Sequence, residues 1–122
     1  MDLQAVRDEQ YCYLTTTGRK TGEPREIEIW FGVIGGALYM LSGSGEDERG
    51  PKAHWVRNLL KAPACTVRIA GETVPAAGRI VERGTAEDAA ARELLVAKYR
   101  GSSSGDLSDW GRRSVVVALD FK

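Results

Sequence analysis

Apolar and polar positions alternate along the first third of the chain. Ile27, Ile29 and Phe31 alternate with Glu26, Glu28 and Trp30, the period-two pattern of a strand that buries one face. Tyr11 to Thr16 reads as a strand before it, while Phe31-Gly32-Val33-Ile34 is separated from Ala37-Leu38-Tyr39-Met40-Leu41 by Gly35-Gly36. Two glycines accept the positive φ values of a tight turn, so the last two segments are expected to pair as an antiparallel hairpin. Further strands are predicted at Cys65-Thr66-Val67-Arg68-Ile69, at Thr73 with Val74, at Arg79-Ile80-Val81 and from Ser114 to Phe121, with Gly71 turning the first pair.

The period changes twice. Ser42 to Gly50 is too polar and glycine-rich to pack and reads as a surface loop. Pro51 after it suits the first position of a helix, with Trp55, Val56, Leu59 and Leu60 as its apolar stripe and Pro63 as its end. A second helix is predicted from about Ala86 to Tyr99, with Thr85 as N-cap and Ala91, Leu94, Leu95, Lys98 and Tyr99 along one side. About six short antiparallel strands with two or three helices make a mainly β fold, a closed or partly closed barrel. Gly101 to Asp106 is flexible by composition, either an ordinary loop or a lid, and the strand beyond it must return to the same sheet.

Size supports one domain over residues 1–122, with no internal repeat. The 17 basic and 17 acidic side chains cancel, so no overall field draws nucleic acid or an anionic membrane surface, and any anion site must be local. No apolar run approaches the roughly 20 residues of a spanning helix, and the N-terminus lacks the basic and then apolar regions of a signal peptide, which places the chain in the cytoplasm. Cys12 and Cys65 lie in apolar stretches far apart in sequence and read as buried, unreactive thiols.

Two clusters carry candidate chemistry. Thr15-Thr16-Thr17 runs into Gly18-Arg19-Lys20-Thr21-Gly22, with Arg25 three residues on, concentrating hydroxyls, backbone N–H groups and three cations at one point. Phosphates and carboxylates want that set, although by composition alone a solvated hairpin turn fits as well. In the second cluster Lys52, Trp55 and Asn58 recur along one side of the first helix, where Trp offers a flat surface and Asn an amide that donates and accepts. Trp55 as a cap on the core fits the spacing too, but an Asn among apolar residues needs a hydrogen-bond partner. His54, the sole histidine, reads as surface. With no second histidine or ligand cluster there is no metal site and no catalytic triad, and Glu46-Asp47-Glu48 reads as a solvated acidic loop.

Taken in order, Tyr13-Leu14-Thr15-Thr16-Thr17-Gly18-Arg19-Lys20-Thr21-Gly22-Glu23-Pro24-Arg25, then Leu41-Ser42-Gly43-Ser44-Gly45, then Trp55-Val56-Arg57-Asn58-Leu59 with Ala62-Pro63 resemble the deazaflavin-dependent nitroreductase and quinone reductase family. The resemblance implies a split β-barrel related to the pyridoxamine phosphate oxidases. It also implies reduced coenzyme F-420 as cofactor, an 8-hydroxy-5-deazaflavin with a phosphate and an oligoglutamate tail. Thr17, Gly18, Arg19, Lys20 and Arg25 would then form the turn that holds phosphate and tail. Ser42, Gly43 and Ser44 would contact the ring through backbone groups, Lys52, Trp55 and Asn58 would support the cofactor from the helix, and Tyr99 would lie near the substrate. The implied reaction is hydride transfer to a quinone, nitroaromatic or activated enone. The same barrel using FMN, whose single phosphate needs fewer cations, and a non-catalytic carrier of a cofactor or lipid-like ligand are the alternatives. A homodimer is expected, with Trp30 and Trp110 at a two-fold interface. Two features depart from the family pattern: the stretch Glu46 to Lys52 is longer and more acidic, and Glu26 and Glu28 put negative charge beside a site for an anion.

Overall fold

A computed structural model describes residues 1–102 and 107–121. The chain runs α1 (Leu3–Val6), β1 (Cys12–Thr17), β2 (Pro24–Ile29), β3 (Gly32–Ile34), β4 (Ala37–Ser42), β5 (Glu46–Asp47), β6 (Gly50–Pro51), α2 (His54–Lys61), β7 (Ala64–Ile69), β8 (Glu72–Ile80), α3 (Ala86–Tyr99), α4 (Ser108–Arg113) and β9 (Val115–Phe121). Seven strands form one antiparallel sheet in the order β2-β1-β7-β8-β9-β4-β3, and β5 with β6 makes a separate two-stranded ribbon. The loop or lid anticipated around 101–106 lies largely outside the described residues.

Consecutive strands β2 and β3 occupy opposite edges of the sheet, yet Trp30 and Phe31 alone join them. That link spans at most about 11 Å, whereas seven flat strands would be roughly 29 Å across. The sheet must therefore curl until its edges meet, which produces the partly closed barrel. The interior is filled by Cys12, Leu14, Leu38, Met40, Val67, Ile69, Val117 and Leu119, all essentially inaccessible. A second core lies outside the sheet, where Tyr39, Leu41, Val116 and Ala118 meet Ala91, Leu95 and Tyr99 of α3. Burial on both faces explains why β4 and the centre of β9 carry few polar residues.

Tyr99 fastens the seam. Its hydroxyl accepts from the Phe31 N–H at 2.8 Å and lies 2.9 Å from the Phe31 carbonyl and 3.0 Å from the Gln10 carbonyl, to which it donates. Its ring stacks on Trp30 at 4.1 Å, and Lys98 Nζ donates to the Phe31 carbonyl at 2.8 Å. Trp30 and Trp110, expected to be exposed at a two-fold interface, instead pack edge to face at 5.5 Å and are half-buried. Among the described residues the large apolar side chains that do face solvent are Tyr11, Ile34, Leu60 and Ile80.

Several expectations need correction. Pro51 lies in β6, and α2 starts only at His54, because residues 46–51 use their backbone groups in a ribbon. Leu60 is exposed and Asn58 takes its place on the buried face. The strands expected around Thr73 and Arg79 are one strand, β8. Pro75 interrupts no helix or sheet there, since it sits before β9 joins at Ala76, where β8 is paired on one side only. The main sheet has seven strands and the described residues hold four α-helices, the short α1 and α4 being too brief for a periodicity signal. The hairpin at Gly35-Gly36 and the span and N-cap of α3 are as anticipated. Burial pushes the thiols of Cys12 and Cys65 up to about 12 and about 11.

On the far side of the barrel Arg79 bonds both oxygens of Glu87 at 2.9 and 2.7 Å, and Tyr39 donates to Glu87 at 2.6 Å. The Arg79 guanidinium first, and the Tyr39 hydroxyl second, hold the Glu87 carboxyl down at about 2 against an ordinary 4.5. A depressed carboxylate stabilises the fold above its unfolded value, and that contribution is lost as pH falls. Glu87→Gln is thus expected to flatten the loss of thermal stability between pH 4.5 and pH 2, read from unfolding midpoints across that window; parallel acid limbs would refute it. Tyr99→Phe leaves the buried Phe31 N–H unsatisfied and should cost about 1–3 kcal/mol in urea unfolding, a value near zero meaning that the seam closes without it.

Candidate functional site

Alternation along β1 decides which threonines matter. Cys12, Leu14 and Thr16 point inward, so Thr16 is buried and Thr17 faces solvent. Beyond Thr17 the chain turns tightly: the Gly18 N–H donates to the Glu23 carbonyl at 2.7 Å and the Gly22 N–H to the Gly18 carbonyl at 2.8 Å. Gly22 has φ +75, a value open to glycine without strain.

Helix α2 holds this turn from outside the strand pair. Gly78 on β8 lets it approach closely, since a Cβ there would stand 3.0 Å from Leu59. Asn58, nearly inaccessible, donates from Nδ2 to Thr16 Oγ1 at 3.1 Å, while its Oδ1 accepts from the Arg19 N–H at 3.2 Å and Arg19 Nη1 at 3.0 Å. Lys61 Nζ donates to the Arg19 carbonyl at 2.8 Å, one turn further along. Arg19 Nη2 lies 3.0 Å from His54 Nδ1, and since a guanidinium only donates, that nitrogen is the acceptor. The partner that a buried Asn requires is therefore the basic turn itself.

Turn and helix enclose a cavity of about 650 Å³. Of the anticipated residues, Gly18, Arg19, Lys20, Arg25, Ser44, Lys52, Trp55 and Asn58 line it. Lys52 comes back beside Ser44 because the residues between them fold back on themselves: β5 and β6 pair as a ribbon, and the Lys52 N–H donates to the Gly45 carbonyl at 3.0 Å.

Four anticipated residues stand elsewhere. Thr17 faces away, as the strand period requires. Ser42 is buried at the end of β4, its Oγ without a hydrogen-bond partner among the described residues, and Gly43 borders a neighbouring cavity. Tyr99 is wholly buried, and its hydroxyl is committed to backbone groups at the seam, so the geometry gives it no part in chemistry on a substrate. Thr16 and Thr21 of the candidate turn also line the cavity, and Ile27, Ala53 and His54 do so unanticipated. Thr16 and Ile27 were legible from alternation, because each shares a face with a neighbouring lining residue; His54 was not, because its partner Arg19 is 35 residues away.

The electrostatics are one-sided. Arg19, Lys20, Arg25 and Lys52 converge on the cavity, and among the described residues no carboxylate lines it or pairs with any of them. Glu26 and Glu28 point to the other face of β2, where Glu26 lies 3.6 Å from Arg68 and Glu28 accepts from the Tyr13 hydroxyl at 3.1 Å. Neither opposes an anion in the cavity.

The sequence pattern of the F420H(2)-dependent quinone reductase family matches residues 4–119. Among solved structures, an F420-H2 dependent reductase (FDR-A) superposes with a TM-score of 0.69 at 22% identity, covering 92% of this chain and 95% of that one. HutZ, described as the heme storage protein of Vibrio cholerae, superposes at 0.75 with 15% identity over 99% and 88% of the two chains. A FAD-binding protein of Mesorhizobium loti gives 0.67 at 12% identity over 98% and 86%. These likenesses show the fold, a split β-barrel, and since the three proteins are named for different ligands the ligand must be argued from the cavity.

Asn58→Ala removes the acceptor of Arg19 and the donor to Thr16 together, and is expected to lower stability by about 1–3 kcal/mol in urea unfolding. It should also weaken binding of inorganic pyrophosphate in calorimetry, whereas unchanged stability and affinity would mean that the turn keeps its shape without the helix.

Proposed function

The chain belongs to the F420H(2)-dependent quinone reductase family, and from that premise we propose that it binds reduced F420 in the cation-lined cavity and reduces a quinone, nitroaromatic or activated enone. The observation that carries this reading is the convergence of Arg19, Lys20, Arg25 and Lys52 on one cavity without a carboxylate. A ligand with a phosphate and several carboxylates fits such a donor set, whereas a singly charged ligand would leave cations unmatched. Residues 1–122 act as one cofactor-binding unit in this reading.

The roles divide by geometry. Lys20, Arg25 and Lys52, which have no ion pair among the described residues, hold the anionic tail. Arg19 is already fixed by Asn58 and His54, so it meets an anion with little further loss of side-chain freedom. Ser44 and Trp55 flank the ring, and Asn58 acts through Arg19 as a positioning residue. When bound, the reduced deazaflavin supplies a hydride that, with one proton from water, converts a quinone to a hydroquinone or saturates an enone. The protein's contribution is to hold donor and acceptor in contact and to keep water from between them.

F420 is expected to raise the unfolding midpoint more than FMN, because a ligand that binds only the folded state stabilises it according to its affinity. Lys20→Ala and Arg25→Ala should each weaken F420 binding about tenfold, the ~1.5 kcal/mol of a charge-assisted bond, with further weakening at high salt. Protection by FMN and none by F420 would overturn the cofactor assignment. Tight F420 binding without oxidation by any acceptor of the three classes would make the protein a carrier.

A further inference from the structure

Beside the first cavity lies a second of about 680 Å³, and the two share Ser44 and Lys52. One wall is Trp110, whose ring is fixed by edge contacts to Trp30 at 5.5 Å and Tyr99 at 6.4 Å. Gly43 keeps that wall open, since a Cβ there would stand 3.3 Å from the indole. The rim is cationic: Arg83, Arg112 and Arg113 join Lys52, against the carboxylates of Glu46 and Asp109.

These carboxylates do not neutralise the rim. Asp109 Oδ1 serves both Arg112, at 2.7 Å, and Arg113, at 3.3 Å, so two guanidinium groups share one negative charge. Glu46 is 3.7 Å from Arg83, and the Lys52 side chain has no ion pair among the described residues. Arg83 is also mounted rigidly, donating to the carbonyls of Arg112 at 3.0 Å and Ser114 at 3.2 Å, which ties the end of α4 to the loop before α3. A flat wall, an open glycine and an excess of positive charge meet where the cavities join.

We propose that the second cavity binds the electron acceptor and selects a planar acceptor carrying a carboxylate or sulfonate. This rests on the reading above, since a hydride passes only between groups roughly 3–3.5 Å apart and the acceptor must border the cofactor cavity. Trp110 provides the stacking surface, and Arg112 and Arg113 receive the anionic substituent, with Asp109 limiting how strongly they do so.

The probes are 1,4-naphthoquinone and its 2-sulfonate, compared as the ratio of their kcat/KM values with reduced F420. Differences in redox potential cancel when that ratio is compared between proteins. The double variant Arg112→Gln/Arg113→Gln should lower the sulfonate-to-neutral ratio about tenfold, the combined effect of two partly exposed charges, and Asp109→Asn should raise it several-fold. Opposite signs from adjacent substitutions separate a charge effect from a loss of folding. Binding of the sulfonate to cofactor-free protein, followed by quenching of tryptophan fluorescence, should weaken in the double variant, with Trp110→Phe as the control that locates the quench. A ratio unmoved by both variants would overturn the proposal. So would a double variant that weakens F420 binding as much as sulfonate binding, because the rim would then hold the cofactor's own anionic groups. Failure of F420 to bind at all would count against the functional reading alone, and the quenching titration would still decide this one.

Discussion

Two residues join the outermost strands of a seven-stranded sheet, and that covalent restriction shapes everything else in the molecule. Because Trp30 and Phe31 must bridge β2 and β3, the sheet cannot stay open, and the curled interior is where the aliphatic core collects. The link itself would be a liability, since its backbone groups have no strand to pair with. Tyr99 and Lys98, reaching over from α3, satisfy the groups of Phe31, and the indole of Trp30 covers the phenol ring. A fully buried tyrosine hydroxyl in a mainly aliphatic core is thus accounted for by closure of the barrel.

Closure also decides where the functional surface can be. With the interior filled, a ligand must lie on the rim, between the β1–β2 turn and the helix that crosses it. Asn58 is the hinge pin of that arrangement, because one amide bonds a strand hydroxyl, a turn N–H and a guanidinium at once. An anion bound there would meet Arg19 already held, which reduces the ordering cost of binding. Elsewhere several cations are matched by carboxylates: Arg68 with Glu26, Arg79 with Glu87 and Asp120, Arg92 with Asp88. A chain with no net charge can hold a strongly basic cavity only by such segregation, and the second cavity, where one carboxylate serves two arginines, stands between these extremes.

Local pattern carried a good deal of this. Period two along Glu26 to Ile29, the glycine pair at Gly35-Gly36 and the helical spacing from Ala86 to Tyr99 each reflect a choice made within a few residues and appear in the structure, although the strand stops before Trp30 and Phe31. The cationic turn and the Lys52, Trp55, Asn58 series were visible as residue types at fixed spacing, and the three ordered motifs were specific enough to point to the family. Their side-chain directions were less visible. Alternation from Leu14 already turns Thr17 outward from the turn it adjoins, and the resemblance alone places Tyr99 near the substrate, since a phenol on a helix carries no mark of whether its hydroxyl faces a ligand or a backbone.

By itself, then, the amino-acid sequence determined the strand and helix periods, the balance of charge and the presence of a cationic turn, since all of these depend on neighbours a few positions apart. Tertiary structure alone decided that His54 and Asn58 hold Arg19, that the acidic stretch Glu46 to Pro51 folds into a ribbon outside the first cavity, that Glu26 and Glu28 turn to the opposite face, and that a second, arginine-rimmed cavity adjoins the first. Those outcomes rest on contacts between segments tens of residues apart, brought together by closure of the barrel, and no local pattern records which distant partner a polar side chain will meet.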